Sequence, residues 1–199
     1  MFKKNWLLIP LVIIGFYYNS WTIENADTEM IFDEMIYGFL ILVFLIFLGF
    51  SINKDYKKYK IEKSWKNLIP TILGFLILFS FVITHVFLLM RDNSPVIIHA
   101  GYDGDFNGAW FEFRKDGTYK FGNHASLGAD YFRGKYELKD SIITLDKNKI
   151  DNVIKTNKLA IRNEIYGDST STVIYQIDEN HKVIDKNFKF FVHEYKVVE

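Results

Sequence analysis

The chain has 199 residues, with 24 basic and 24 acidic side chains, a formal net charge of zero and no cysteine. That balance leaves no excess positive charge to displace the counterions of a nucleic-acid polymer. The missing thiols exclude disulfides, thiolate metal sites and cysteine nucleophiles.

Three apolar stretches fill the first ninety residues. Residues 6–23 (WLLIPLVIIGFYYNSWTI), 35–52 (MIYGFLILVFLIFLGFSI) and 68–90 (LIPTILGFLILFSFVITHVFLLM) contain no Asp, Glu, Lys or Arg. About 20 helical residues cross a hydrocarbon core of about 30 Å, so the pattern predicts three transmembrane helices in a region covering 1–91. The first stretch is the shortest in strict hydropathy and carries Pro10, Asn19 and Ser20. Lys3 and Lys4 before it would suit a signal peptide, but Tyr17-Tyr18-Asn19-Ser20-Trp21 offers no small-x-small cleavage site. Trp6, Trp21 and Trp65 sit near segment ends, where interfacial aromatic belts form.

The charges between the stretches alternate in sign. Lys3 and Lys4 precede the first; Glu24, Asp27, Glu29, Asp33 and Glu34 separate it from the second; Lys54, Lys57, Lys58, Lys60, Lys63 and Lys66 follow the second. Lysine-rich loops stay cytoplasmic. With three crossings, the N-terminus and the lysine loop lie inside, while the acidic loop and everything after residue 91 lie outside. His85 is the one histidine in the spans; a proton relay is the sharper reading of it, and an imidazole near the outer headgroups the plainer one. Gly15, Gly38, Gly49 and Gly74 would permit close helix contacts.

Asp92-Asn93-Ser94-Pro95 breaks the third helix, and residues 96–199 change to a period of two. This half is close to neutral, with 16 basic and 17 acidic residues from position 91 onward. Phe111 and Phe113 alternate with Trp110, Glu112 and Arg114. The same alternation holds around Tyr119/Phe121, Tyr136/Leu138, Val173/Tyr175/Ile177 and Phe188/Phe190/Val192. It predicts antiparallel strands with one buried face. Asp116-Gly117 is a hairpin signal, with further turns at Lys139-Asp140-Ser141, Gly167–Ser171 and Asp178-Glu179-Asn180. Seven or eight short strands in about a hundred residues must close up or fold face to face. The expected fold is therefore three transmembrane α-helices followed by an antiparallel all-β domain, a small barrel or half-barrel.

Gly108-Ala109-Trp110 opens the first long strand, and the Asp116-Gly117 turn follows six residues after Trp110. With the later hairpin YFRGKYELKDSIITLD (residues 131–146), this resembles the lipocalin-like domains, over residues 105–199. Phe188–Val198 carries only Lys189 and Lys196 where that family usually has an arginine. The resemblance implies a barrel that holds a small apolar ligand, with Trp110, Phe113, Tyr119 and Tyr136 as pocket candidates. The plainer reading of the same aromatic residues is core filling.

Asp103-Gly104-Asp105-Phe106-Asn107-Gly108 matches the first half of a calcium loop, which makes Asp103, Asp105 and Asn107 candidate metal ligands. Position twelve is Arg114 rather than glutamate, so an acidic turn without cofactor is the plainer reading. His99, His124, His181 and His193 have no metal-ligand spacing. No nucleophile elbow, Walker loop or dinucleotide fingerprint occurs.

These features predict a non-enzymatic, multi-pass membrane protein displaying an extracytoplasmic β-domain for binding, sensing or protection. Its partners would be the bilayer, a small apolar ligand or a protein, and further copies of the chain. The order of domains also resembles the two-span β-barrel effectors of bacterial anti-phage signalling. That resemblance implies a cytoplasmic barrel binding a cyclic nucleotide and helices that oligomerise to disrupt the membrane.

Overall fold

A computed structural model describes residues 5–196 as two compact units, divided after Arg91. The first unit contains three helices: α1 (Leu8–Glu24), α2 (Asp33–Glu62) and α3 (Ile69–Met90). Two of them are long and apolar enough to cross a membrane, namely α2 and the stretch Trp65–Met90 that includes α3. The expectation of three spans is met only in part. Helix α1 has 17 residues, which at 1.5 Å each is about 25 Å; Glu24 and Asn25 end it short of the usual span.

Helix α2 departs from its expected 35–52 boundaries in the other direction. It has 30 residues and continues through Lys54, Lys57, Lys58 and Lys60 to Lys63, whose left-handed φ of 53° stops it. Lysine and glutamate propagate a helix readily in water, so the loss of hydropathy at Asn53 ends the apolar stretch and not the helix. A single 3-10 turn, Trp65–Leu68, then leads into α3, with Pro70 in its first turn. The buried Asp55 carboxylate accepts hydrogen bonds from Thr71 N (3.2 Å), Thr71 Oγ1 (2.8 Å) and Ser51 Oγ (3.2 Å). A carboxylate from α2 thereby caps the first turn of α3.

Helices α1 and α3 run parallel. Leu11 lies against Gly74, and Gly15 against Ile77, so closely that a Cβ on Gly15 would stand 2.3 Å from Ile77 Cγ2. Further along, Tyr18 packs on Phe81 and its hydroxyl meets His85 Nε2 at 2.7 Å. Asn19 Nδ2 donates to Ser80 Oγ (2.9 Å), and Thr84 Oγ1 donates to Asn19 Oδ1 (2.7 Å). Phe44 and Leu48 of α2 complete this core. A Cβ on Gly38 or Gly49, also candidates for close contact, would meet no other element within 4 Å among the described residues.

The second unit is a closed barrel of eight antiparallel strands, which is compatible with the lipocalin-like expectation. They are β1 (Val96–Gly104), β2 (Asn107–Arg114), β3 (Thr118–Ala125), β4 (Gly128–Lys139), β5 (Ile142–Leu145), β6 (Lys158–Tyr166), β7 (Ser169–Gln176) and β8 (Lys189–Tyr195). Each strand pairs with the next in sequence, and β8 pairs with β1. At the β2–β3 turn, Gly117 adopts a φ of 80°, and Asp116 Oδ1 accepts from the Thr118 amide and hydroxyl at 3.1 and 2.7 Å.

The inner face follows the period-two pattern. One row runs Ala100–Phe111–Phe121–Phe132 across β1 to β4, and another runs Ile161–Ile174–Phe190 across β6 to β8. Eight strands leave an interior that side chains can just fill. Here Phe111 stacks on Phe113 with centroids 5.0 Å apart and meets Phe121 and Phe190 at 4.7 and 5.2 Å. The connection from β5 to β6 supplies two more buried residues, Ile150 and Ile154, joined by a pair of 3.0 Å backbone hydrogen bonds. The buried Gln176 side chain fastens this connection, accepting from Lys155 N at 2.7 Å and donating to Val153 O at 3.0 Å.

Candidate binding surface on the barrel

The four aromatic pocket candidates do not share one face. Phe113, Tyr119 and Tyr136 point inward and are buried. Tyr136 donates its hydroxyl to Arg114 O at 2.8 Å, and Tyr119 donates to Asp146 Oδ1 at 3.2 Å. Burial pushes the Tyr136 phenol up to about 12 and raises Tyr119 as well, where the adjacent Asp146 carboxylate adds to the effect. Trp110 lies on the outer face. The register row Gly101–Trp110–Gly122–Tyr131 crosses four strands. A Cβ at Gly122 would come within 2.5 Å of Trp110 Cε2, so the indole rests directly on that glycine.

The neighbouring outer row is charged: Glu112, Lys120 and Arg133 align across β2, β3 and β4. Lys120 Nζ lies 4.2 Å from the Tyr131 ring centroid and 5.3 Å from that of Trp110, within cation–π range. It also lies 3.5 Å from Asp92. Arg133 grips Asp92 with two hydrogen bonds, Nε at 2.9 Å and a terminal nitrogen at 2.7 Å. Arg114 pairs with Glu112 and stands 3.8 Å from Asp92. Burial alone would raise the Asp92 carboxyl; the bonds and charge of Arg133, with Arg114 and Lys120 behind it, hold it at about 2. Beside Trp110, His99 and His193 face each other with ring centroids 5.7 Å apart.

A second polar cluster occupies the outer face of β6 to β8. Glu164 accepts hydrogen bonds from Lys189, Tyr166 and Tyr175, which lower its carboxyl to about 2. The Lys189 ammonium sits 5.0 to 5.8 Å from the ring centroids of Tyr166, Tyr175 and Phe191. The domain's own lysine therefore fills this aromatic enclosure. A mixed cleft of about 240 Å³ lies beside the β5–β6 connection, lined by Asn152, Lys155, Gln176, Asp185 and Phe188 among others.

Asp103, Asp105 and Asn107 come together in the β1–β2 hairpin. Gly104 pairs with Asn107, and Asp105 takes a left-handed φ of 66° at the tip. Asp103 Oδ1 accepts the Asp105 N–H at 3.1 Å, so this carboxylate closes its own turn. Among the described residues, no three His, Cys, Asp or Glu side chains form a group that could hold a metal ion.

Sequence reasoning missed Tyr131, Lys120 and Arg133. The signal was present in the alternation itself, which sets Trp110 and Glu112 opposite Phe111 and Phe113. No protein family, curated protein or solved structure matches the chain.

Proposed function

We propose that this protein is a non-enzymatic membrane-anchored binding module whose three helices cross the bilayer and hold the barrel outside the cytoplasm. The parallel pairing of α1 with α3 carries this reading. From Leu11–Gly74 to Tyr18–His85 the two helices keep step, so α1 follows a spanning helix for most of its length despite having only 17 residues. Asn19 is bonded to Ser80 and Thr84, so its amide is not left bare to hydrocarbon. Arg91, at the end of α3, pairs with Asp27 just after α1 at 3.2 Å, as expected if both helices emerge on the acidic side.

The barrel would bind through its outer Trp110–Tyr131–Lys120 face. Phe111, Phe113, Phe121 and Phe190 are fully buried in the interior, whereas the outer face combines aromatic planes with fixed charge. Such a face suits a polar partner carrying a planar group better than a small apolar ligand.

The test is a pair of C-terminal fusions, to alkaline phosphatase and to a fluorescent protein that matures only in the cytoplasm. Phosphatase activity without fluorescence is expected; fluorescence without phosphatase activity would overturn the reading. A second reading draws on the count of two helices long enough to span. Two crossings, of α2 and α3, leave the barrel on the side of the N-terminus and opposite the lysine loop at residues 54–66; a nucleotide-gated membrane effector requires that side to be the cytoplasmic one. The opposite fusion result selects that reading.

A further inference from the structure

The lysine-side end of the helical unit carries a groove of about 450 Å³ between the start of α1 and the second half of α2. Its lining is Trp6, Leu7, Phe50, Asn53, Lys54 and Lys57. The last four are spaced i, i+3, i+4 and i+7 and so share one face of α2. At 1.5 Å per residue, Asn53 and Lys54 stand about 5 Å above Phe50 along the axis, and Lys57 about 10 Å above it. The surface thus passes from ring to amide to ammonium over the length of a phospholipid's own passage from acyl chain through ester to phosphate.

Charge in the groove has one sign. Among the described residues that line it there is no carboxylate; the nearest along α2, Asp55, is turned to Ser51 and Thr71 and is buried. Lys54 Nζ lies 6.0 Å from the Trp6 ring, which places the ammonium beside the indole at the level of the headgroups. Trp6 and Phe50 are more than half exposed, so apolar surface is available below the charges.

We infer that this groove is a binding site for one anionic phospholipid. Its phosphate is held by Lys54 and Lys57 and its polar headgroup by Asn53, and an acyl chain lies along Leu7 and Phe50. The inference rests on α2 crossing the bilayer, as proposed above. A zwitterionic lipid would bring a quaternary ammonium against the two lysines, so phosphatidylglycerol is preferred to phosphatidylcholine.

The full chain is reconstituted into phosphatidylcholine vesicles containing a minor fraction of acyl-brominated phosphatidylglycerol or acyl-brominated phosphatidylcholine. Subtracting the W6F variant isolates the fluorescence of Trp6. Two surface lysines, at about 1 kcal/mol each, should enrich phosphatidylglycerol at the groove about thirtyfold, so Trp6 is quenched several-fold more by that lipid. K54Q/K57Q is expected to bring the two lipids level, while K60Q/K66Q, outside the groove, keeps the difference. Equal quenching in the unmodified chain would overturn the site, as would loss of the difference in K60Q/K66Q, which means diffuse attraction. Loss of the difference in millimolar inorganic phosphate would reassign the groove to free phosphate and defeat the lipid assignment. Failure of the membrane reading looks different: neither brominated lipid would then quench Trp6.

Discussion

Replacing Asp92 with asparagine tests whether one carboxylate clasps the start of the barrel unit. Its side chain is 22% exposed and faces Arg133, Lys120 and Arg114. Burial opposes its ionisation, yet these cations lower its pKa from 3.8 to about 2. At 1.36 kcal/mol per pH unit, a gap of about 1.8 bounds the contribution at about 2.4 kcal/mol. Solvent screening of a partly exposed pair brings this to about 1–2 kcal/mol. The folded value lies below the unfolded one. The stabilisation is therefore present above about pH 4 and is lost as the pH falls from there through about 2. Melting of the full chain in detergent, followed by tryptophan fluorescence, should show D92N on the order of 5–10 °C below the unmodified protein at pH 7. The difference should shrink steadily below pH 4. Equal melting temperatures at pH 7, or a difference unchanged at pH 2, would refute the clasp.

Phe111→Ala removes a fully buried ring from the centre of the barrel and should cost about 3–5 kcal/mol, read as a lower urea midpoint at an unchanged slope. Gly122→Ala puts a methyl group where the Trp110 indole lies; the ring must swing into water, and a red-shifted emission that W110F abolishes would record it. Asn19→Leu deletes the two bonds that the Asn19 side chain makes to α3 and should weaken the helical unit by about 1 kcal/mol, since interhelical bonds in membranes average roughly 0.6 each. Titration with SDS, monitored by ellipticity, would detect this; an unchanged midpoint would show that the glycine packing and the Tyr18 contacts hold α1 without Asn19.

The parts of this fold that local pattern governs were legible in the sequence. Phe111/Phe113 and Tyr119/Phe121 alternate because a sheet has two faces, and Asp116-Gly117 turns because glycine accepts a positive φ. The extension of α2 was not legible, since hydropathy reports the solvent around a helix and α2 outlasts its apolar stretch by ten residues. Ile150 and Ile154 lie in a connection without periodicity, and only the closed barrel gives them an interior to enter. The Asp92–Arg133 pair joins residues 41 apart, a distance no spacing rule spans. Trp110 shows a different kind of error. A motif resemblance pointed it inward, while its position in the alternation had already set it with Glu112 on the outer face.

Barrel closure has a consequence for how the protein is made. The seam joins Ile98 to Tyr195 and His99 to Glu194, so the first strand waits for a partner about a hundred residues later in the chain. Such late, long-range pairing makes folding slow and leaves the edge of β1 exposed until β8 arrives. If the helices cross a bilayer, they can settle there during synthesis while the barrel is still an open ribbon. If the barrel is exported, it must pass through in that open form. A mutation that weakens β8 would then lower the yield of folded protein more than its thermodynamic stability.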